Sequence, residues 1–345
     1  MTLTRRGLAA TALAAAMAPA AFAQPSKPIV IGHRGCSGER PEHTPMAYRR
    51  AIEQGADYIE PDLVVTKDGH LVARHENEIG GTTDIAARPE FAGRKTTKVI
   101  DGQPITGWFT EDFTLAELKT LRCRERLPRL RPENTRFDGM EAIPTFEEVV
   151  AIARASARPV GVYPEMKHPT HFASVGLEFP GRLADQLKTL DLDDGSSRVF
   201  VQCFEVGALK AIRGQTRARL VQLIDSDGGP ADLAGARYAD MLSPAGLKAV
   251  AAYADGIGPD KSLVAPTDGE TLLPATTLVR DAHAAGLLVH PWTVRTENDF
   301  LPKALRRGDD TRAHGDVTAV FKALYAAGVD GLFSDFPGLA VAARG

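Results

Sequence analysis

The stretch VIGHRGCSGERPEHTPMAYRRAIEQGADYIEPDLVVTKDGHLVARHE, Val30 to Glu76, brings two histidines and two carboxylates within reach of one pocket. Histidine is the side chain that gains and loses a proton near neutral pH, and carboxylates hold hard, oxygen-seeking cations. An apolar run from Ile29 to Ile31 ends at His33 and Arg34, and a polar turn and a helix follow. A second apolar run then carries Glu60 and Asp62, and a hairpin returns the chain to His75.

Asp68-Gly69, between LVVTK and HLVAR, predicts a hairpin with a two-residue loop. Such a loop pairs Lys67 with His70 and sets Asp62 opposite His75, with Cβ atoms roughly 5 Å apart. Glu60 and Asp62 are two residues apart, so both leave one face of their strand. Pro61 cannot donate to a ladder, and the regular strand is expected to end there. Taken alone, an Asp-Gly hairpin closing on a histidine is no more than a hairpin. Two like charges on one face are different, because they repel unless a cation or a base neutralises them. With no cysteine among them, these acids suit one divalent cation, Ca²⁺ ahead of Mg²⁺.

The elements that must position these residues follow a rhythm. Beyond Met140, short β-like runs such as RPVGVYPEMKH, RVFVQCFE, ARLVQLID, LVHPWTVR and GLFSDFP alternate with helical patterns such as VGALKAIRGQ, TTLVRDAHAAGL and VTAVFKALYAAGVD. With the first two strands this makes about eight β/α units, which predicts an α/β fold of the (β/α)₈ TIM-barrel type; a doubly wound open sheet is the alternative. Residues 77–140 break the rhythm with a long Gly-, Thr-, Arg- and Pro-rich stretch carrying one short helix near Leu115 to Leu121. A loop of that length inside a compact domain implies a role, and we read it as a small subdomain inserted after strand 2 that caps one barrel mouth. In such barrels chemistry sits just past the strands, and polar residues cluster there. Glu165 and Lys167 follow VGVY, Gln202 and Glu205 lie in VQCFE, Trp292 lies in HPWTVR, and Ser334 and Asp335 follow GLF. Glu165 offers a third carboxylate to a cation, Arg34 and Lys167 are natural partners for a phosphate, and Trp292 is a candidate wall for a substrate.

The 345-residue chain carries a net charge of −3, which gives no footing for nucleic acid or an anionic membrane surface. Residues 1–23 have a basic start at Arg5-Arg6, an Ala/Leu-rich stretch and the small-x-small site Ala21-Phe22-Ala23. They read as an export signal of the twin-arginine kind, leaving a mature domain at 24–345 in the bacterial periplasm or secreted, without a stable membrane anchor. Cys36, Cys123 and Cys203 allow at most one internal disulfide, and the sequence does not choose the pair. Cys36 beside His33 is read as packing rather than as a nucleophile.

These motifs (HRG, PEHTPMAY, GADYIEPDLVVTKDGHLVARHE, PEMK, HPWTVR and GLFSDFP) resemble the glycerophosphodiester phosphodiesterase family, in its exported bacterial branch. The resemblance spans the mature chain in outline. It implies a (β/α)₈ barrel with an inserted subdomain that hydrolyses small glycerophosphodiesters to an alcohol and sn-glycerol 3-phosphate. By position it implies catalytic roles for His33 and His75, metal ligation by Glu60, Asp62 and Glu165, and phosphate contacts from Arg34 and Lys167. Where the family often has Asn in its PENT turn this chain has His43, and Cys36 replaces a commonly small residue; Glu42 is a supporting candidate. The chemistry agrees, since a cation with Arg34 stabilises charge building on a phosphoryl group while two histidines divide the proton transfers. Two other readings stay open: a phospholipase D-like enzyme acting on lysophospholipid or sphingomyelin, and a non-catalytic polyol-phosphate binding protein. Head-group preference lies with the loops and the 77–140 insertion.

Overall fold

Two prolines shape this barrel at the level where the acids sit. The computed structural model describes residues 27–345, so the expected signal at 1–23 lies outside the described residues. The strands are β1 (Ile29–His33), β2 (Tyr58–Glu60), β3 (Asp62–Val65), β4 (Leu71–Ala73), β5 (Thr96–Ile100), β6 (Gln103–Gly107), β7 (Gly161–Val162), β8 (Glu165–Met166), β9 (Phe200–Cys203), β10 (Arg219–Ile224), β11 (Gly256–Pro259), β12 (Leu288–Val289) and β13 (Gly331–Ser334). Pro61 divides β2 from β3 and Pro164 divides β7 from β8, because a proline has no N–H for the ladder. The sheet is therefore recorded as two runs, β13-β1-β2-β7 and β12-β11-β10-β9-β8-β3-β4. The prolines still accept: Glu165 N donates to Pro61 O at 3.0 Å and Gln202 N to Pro164 O at 2.9 Å. Across the remaining seam, Asp330 N donates to Val289 O and Phe333 N to Pro291 O, both at 3.0 Å. Eight parallel staves in chain order thus close into a (β/α)₈ barrel.

Helices alternate with the staves, from Pro45–Glu53 and Phe146–Arg154 to Val317–Ala326 and Pro337–Arg344. Their starts are written locally. Thr44 accepts from Ala47 N ahead of Pro45, and Thr145 with Glu148 forms a capping box. The longer helices bury an apolar stripe, such as Phe146, Val149, Val150 and Ala153 of Phe146–Arg154. No helix among the described residues is long and apolar enough to cross a membrane.

Inside the barrel a second core of Ile31, Tyr58, Tyr163, Phe200, Val221 and Phe333 forms a plug. Tyr163 stacks on Phe200 at 4.9 Å, meets Phe333 edge-on at 5.0 Å and its hydroxyl bonds His290 Nδ1 at 2.9 Å. Strand side chains alternate faces, so the residues two places further on also point inward, one layer higher. Those residues are His33, Glu60, Glu165, Gln202, Leu223 and Asp335. The plug is the floor on which the polar layer stands.

The β3–β4 hairpin differs from the sequence expectation by one residue. Leu63 pairs with Ala73 and Val65 with Leu71, and Thr66 N donates to His70 O at 2.9 Å. Lys67, Asp68 and Gly69 therefore form a three-residue loop, with Gly69 in the left-handed region at φ 85°. Thr66 Oγ1 holds both Asp68 Oδ1 and the His70 amide, which selects the longer loop. Asp62 consequently faces Arg74, whose amide donates to Asp62 O at 3.0 Å, and His75 lies just beyond the ladder.

Between Ala73 and Phe146 the chain forms turns of 3-10 helix, the β5–β6 hairpin with its tip at Asp101-Gly102, and a short capped helix at Leu115–Leu118. The last ends three residues before the Leu121 expected from sequence. Cys36, Cys123 and Cys203 are all free and buried. Burial raises the Cys36 thiol far above its ordinary range, in keeping with a packing role.

Gly161 makes room for the plug: a Cβ there would lie 2.1 Å from Tyr58 Cε1 and 2.7 Å from Arg198 O. Gly161→Ala should destabilise the fold by about 1–3 kcal/mol through this overpacking, read as a lower midpoint in urea. An unchanged midpoint would show that the Tyr58 layer has slack.

Candidate active site

The HRG turn is built by two consecutive left-handed residues, Arg34 at φ 58° and Gly35 at φ 84°. Gly35 has no alternative, because a Cβ would lie 2.5 Å from the Ala47 carbonyl carbon. This turn aims the Arg34 amide at Glu60 Oε2, 2.7 Å away, and brings the Arg34 guanidinium to Glu42 at 3.0 Å and within 3.2 Å of Asp62 Oδ2.

Each of the two histidines is anchored through Nδ1 by a carboxylate. His33 Nδ1 bonds Asp335 Oδ1 at 2.6 Å, and Asp335 Oδ2 is held by Arg131 at 2.6 Å and Arg295 at 3.1 Å. Arg131 in turn bonds Glu297 at 2.6 Å and the Ser37 carbonyl at 3.0 Å. His75 Nδ1 lies 2.8 Å from Glu76 Oε1. Glu76 Oε2 meets His168 Nε2 at 2.9 Å, and His168 Nδ1 meets Asp101 Oδ2 at 2.7 Å. An ionised carboxylate only accepts, so it fixes the proton on Nδ1 and leaves Nε2 of His33 and His75 for the cavity both rings line. Burial, reinforced by Arg34, lowers His33 to about 4 against the pull of Asp335. Burial, with Arg34 and Lys167, lowers His75 to about 3. Both rings are therefore neutral at pH 7 with an unprotonated Nε2.

Glu60, Asp62 and Glu165 form the floor of the site, all buried, with one oxygen of each within 4.8 Å of the others. Strand register explains their meeting: His33 pairs with Glu60 across β1–β2, and Asp62 with Glu165 across β3–β8. Burial and the neighbouring Asp62 push Glu60 well above the carboxylate range. Burial, with Asp62 adding, pushes Glu165 up to about 8 despite Lys167 at 3.1 Å. Against the same burial, Arg34 and His43 hold Asp62 well below the range. The protein thus supplies too little positive charge to ionise all three acids near neutral pH. An all-oxygen trio in this condition fits a hard divalent cation, and the buried Gln202 Oε1 beside it has no partner among the described residues.

A cavity of about 250 Å³ is lined by His33, Arg34, Glu60, His75, Glu165, Lys167 and Trp292 among others, and Asp62 adjoins it through its grouping with Glu60 and Glu165. Every site residue singled out in the sequence is brought to this place. Trp292 is fixed as a wall, its indole N–H donating to Gly258 O at 2.7 Å and its ring edge-on to Phe204 at 5.7 Å. The sequence reading did not assign the histidine anchors Asp335 and Glu76, the Arg131 clamp, or His43. His43 is fully buried, bonds Asp62 Oδ2 at 2.9 Å and meets the Tyr48 hydroxyl at 2.8 Å; its place in the PEHT turn was the available signal.

The Glu76–His168–Asp101 chain makes a pH prediction. Two carboxylates raise His168 to about 9 in spite of burial, and His168 holds both acids below their ordinary values. The raised histidine contributes stability that is full below its unfolded value of 6.5 and is lost as pH rises through about 9. The depressed acids contribute above their unfolded values of 4.5 and 3.8. His168→Gln should therefore cost most between about pH 4.5 and 6.5, on the order of 1–2 kcal/mol given the partly exposed partners. The cost should fade towards pH 9–10 in urea titrations, and a cost independent of pH would contradict the assignment.

Residues 33–339 match the glycerophosphoryl diester phosphodiesterase family. The chain is 38% identical over 327 residues to the glycerophosphodiester phosphodiesterase GDPD6 of Arabidopsis thaliana, covering 91% of this chain and 85% of that one. It is 30% identical over 341 residues to a glycerophosphodiester phosphodiesterase of Haemophilus influenzae, covering 90% and 88%. Among solved structures it resembles a glycerophosphoryl diester phosphodiesterase of Silicibacter pomeroyi, with a TM-score of 0.66 at 21% identity over 93% of this chain and 94% of that one. It also resembles an Oleispira antarctica phosphodiesterase in complex with the product sn-glycerol-3-phosphate, with a TM-score of 0.60 at 21% identity over 92% and 96%. The structural likenesses speak for the barrel and the sequence matches for the family. By those sequence matches, this chain belongs to the glycerophosphoryl diester phosphodiesterase family and is a phosphodiester hydrolase of that kind.

Proposed function

We propose that the protein hydrolyses glycerophosphodiesters to an alcohol and sn-glycerol 3-phosphate, with His33 and His75 as the proton-transfer pair and one divalent cation on Glu60, Asp62 and Glu165. The observation that carries this reading is the pairing of two carboxylate-anchored histidines over one floor of three crowded acids. Bound there, a cation supplies Lewis-acid stabilisation of a phosphoryl oxygen. Arg34 and Lys167 bind the remaining phosphoryl oxygens and oppose the charge that builds on them. The phosphodiester anion, once seated, offsets Arg34, which adds to burial in lowering both histidines, so one ring can carry a proton to the leaving alkoxide while the other accepts one from the nucleophile. Asp335 and Glu76 keep each Nε2 pointed at the reaction. The Oleispira relative, holding sn-glycerol-3-phosphate as product, supports the same product here.

A carboxylate-rich oxygen shell favours Ca²⁺, with Mg²⁺ the alternative. The Arg5-Arg6 leader pattern supports export to the periplasm or medium and membership of the exported branch. The small, charged cavity favours a water-soluble diester over the lysophospholipid alternative. The paired histidines favour turnover over simple capture.

His33→Ala and His75→Ala should each lower glycerol 3-phosphate release from glycerophosphocholine by roughly 10²–10⁴-fold while leaving the unfolding midpoint near that of the parent. Near-parental turnover in either variant removes that residue from the mechanism. Chelator should abolish the parent's turnover, and one divalent ion should restore it; activity indifferent to chelator would remove the cation from the reaction.

A further inference from the structure

The catalytic cavity does not end at Lys167. A second cavity of about 290 Å³ continues from it, and the two share Glu165, Lys167, Phe204 and Asp225 as a common wall. Resting on the hydrolase reading above, we propose that this second cavity receives the alcohol portion of the diester and selects alcohols that carry a positive charge at neutral pH, of the choline and ethanolamine kind.

Three observations point the same way. The first is charge. Lys167 pairs with Glu165 and His168 with Asp101, so the cations of this wall are already matched. Glu205 and Asp225 are left over: neither forms an ion pair among the described residues. Glu205 is buried and accepts only from the Thr170 amide and hydroxyl, and Asp225 accepts only from the Ser226 amide and hydroxyl. A cation entering the cavity gains two carboxylates that no protein base satisfies.

The second is the aromatic lining. Phe204 stands between Tyr238, edge-on at 6.0 Å, and Trp292, edge-on at 5.7 Å. Phe204 and Tyr238 line the second cavity, and Phe204 and Trp292 the first. Aromatic faces beside carboxylates recognise alkylated ammonium groups, which hydrogen-bond poorly and are weakly hydrated.

The third is the sense of the substrate. The phosphoryl group belongs at Arg34, which lines only the first cavity, and at the shared Lys167, whereas Glu205 lines only the second cavity and Asp225 the wall between the two. Glycerol 3-phosphate, with its two negative charges, is repelled from the acidic end, whereas a cationic alcohol is drawn to it. The diester is thereby oriented before reaction with its leaving alcohol on the acidic side. The β5–β6 hairpin tip adds Asp101 to the same cavity, which gives the 77–140 segment a part in choosing the head group.

The test compares kcat/KM for glycerol 3-phosphate release from four diesters: those of choline, ethanolamine, glycerol, and 3,3-dimethylbutanol, the uncharged carbon isostere of choline. Both cationic diesters should exceed the glycerol diester by about tenfold or more, and choline should exceed its isostere similarly. Asp225→Asn, at a half-buried position that tolerates the change, should lower the choline-to-isostere ratio several-fold, and Glu205→Gln should do the same. Inhibition of the parent protein by free choline but not by 3,3-dimethylbutanol gives a reading that needs no variant. Equal turnover of charged and uncharged diesters, or a ratio untouched by both substitutions, overturns the head-group assignment while the hydrolase reading stands. Absence of turnover on all four diesters overturns the hydrolase reading and this assignment with it.

Discussion

Three buried carboxylates sharing one small volume is the constraint around which this molecule is arranged. Glu60, Asp62 and Glu165 cannot all ionise beside one another without positive charge. The fold brings that charge from separate elements, Arg34 from the turn after β1 and Lys167 from the end of β8, while His43 from the turn before the first helix, itself lowered by burial, adds a hydrogen bond to Asp62. These groups ionise Asp62 but leave Glu60 and Glu165 raised. The proposed divalent ion would relieve this crowding, and in the proposed reaction Arg34 and Lys167 would also hold the phosphate. Binding of metal and binding of substrate are thus two uses of one charge imbalance.

The barrel turns this imbalance into geometry through layering. A floor of aromatic and aliphatic side chains ends in a stacked Tyr163–Phe200 pair, and two residues further along each stave the polar layer begins. Pro61 and Pro164 interrupt the ladders at that boundary while lending their carbonyls to Glu165 and Gln202. The acids are therefore set at strand ends whose hydrogen bonding is complete without the acids themselves. Their side-chain oxygens are met instead by Arg34, His43, Gln202 and Lys167.

Much of this was legible in the residues. The HRG turn, the Glu-Pro-Asp triplet, Glu165 and Lys167 after VGVY, and the alternation of β and α segments all point to a barrel mouth carrying acids and histidines. The hairpin register was misread by one residue because Asp-Gly signals both two- and three-residue loops. The choice fell to Thr66 and the Asp68 carboxylate, through contacts no dipeptide rule contains. His75 still reaches the cavity because it lies past the ladder, where alternation no longer fixes its side. The anchors of the two histidines were harder to read. Asp335 is about three hundred residues from His33, and Arg131, which clamps Asp335, comes from a stretch whose sequence says only that it is irregular. Glu76 sits next to His75, yet adjacency in sequence does not show that its other oxygen continues to His168 and Asp101.

We propose that the acid trio of Glu60, Asp62 and Glu165 holds one divalent ion. Titration calorimetry of the chelator-treated protein with Ca²⁺ and with Mg²⁺ measures this without substrate or turnover. The account predicts one site per chain, proton release on binding near pH 7 as Glu60 and Glu165 give up their protons, and loss of that site in Asp62→Asn and Glu165→Gln. A protein that binds neither ion, or binds equally well without those carboxylates, would contradict it.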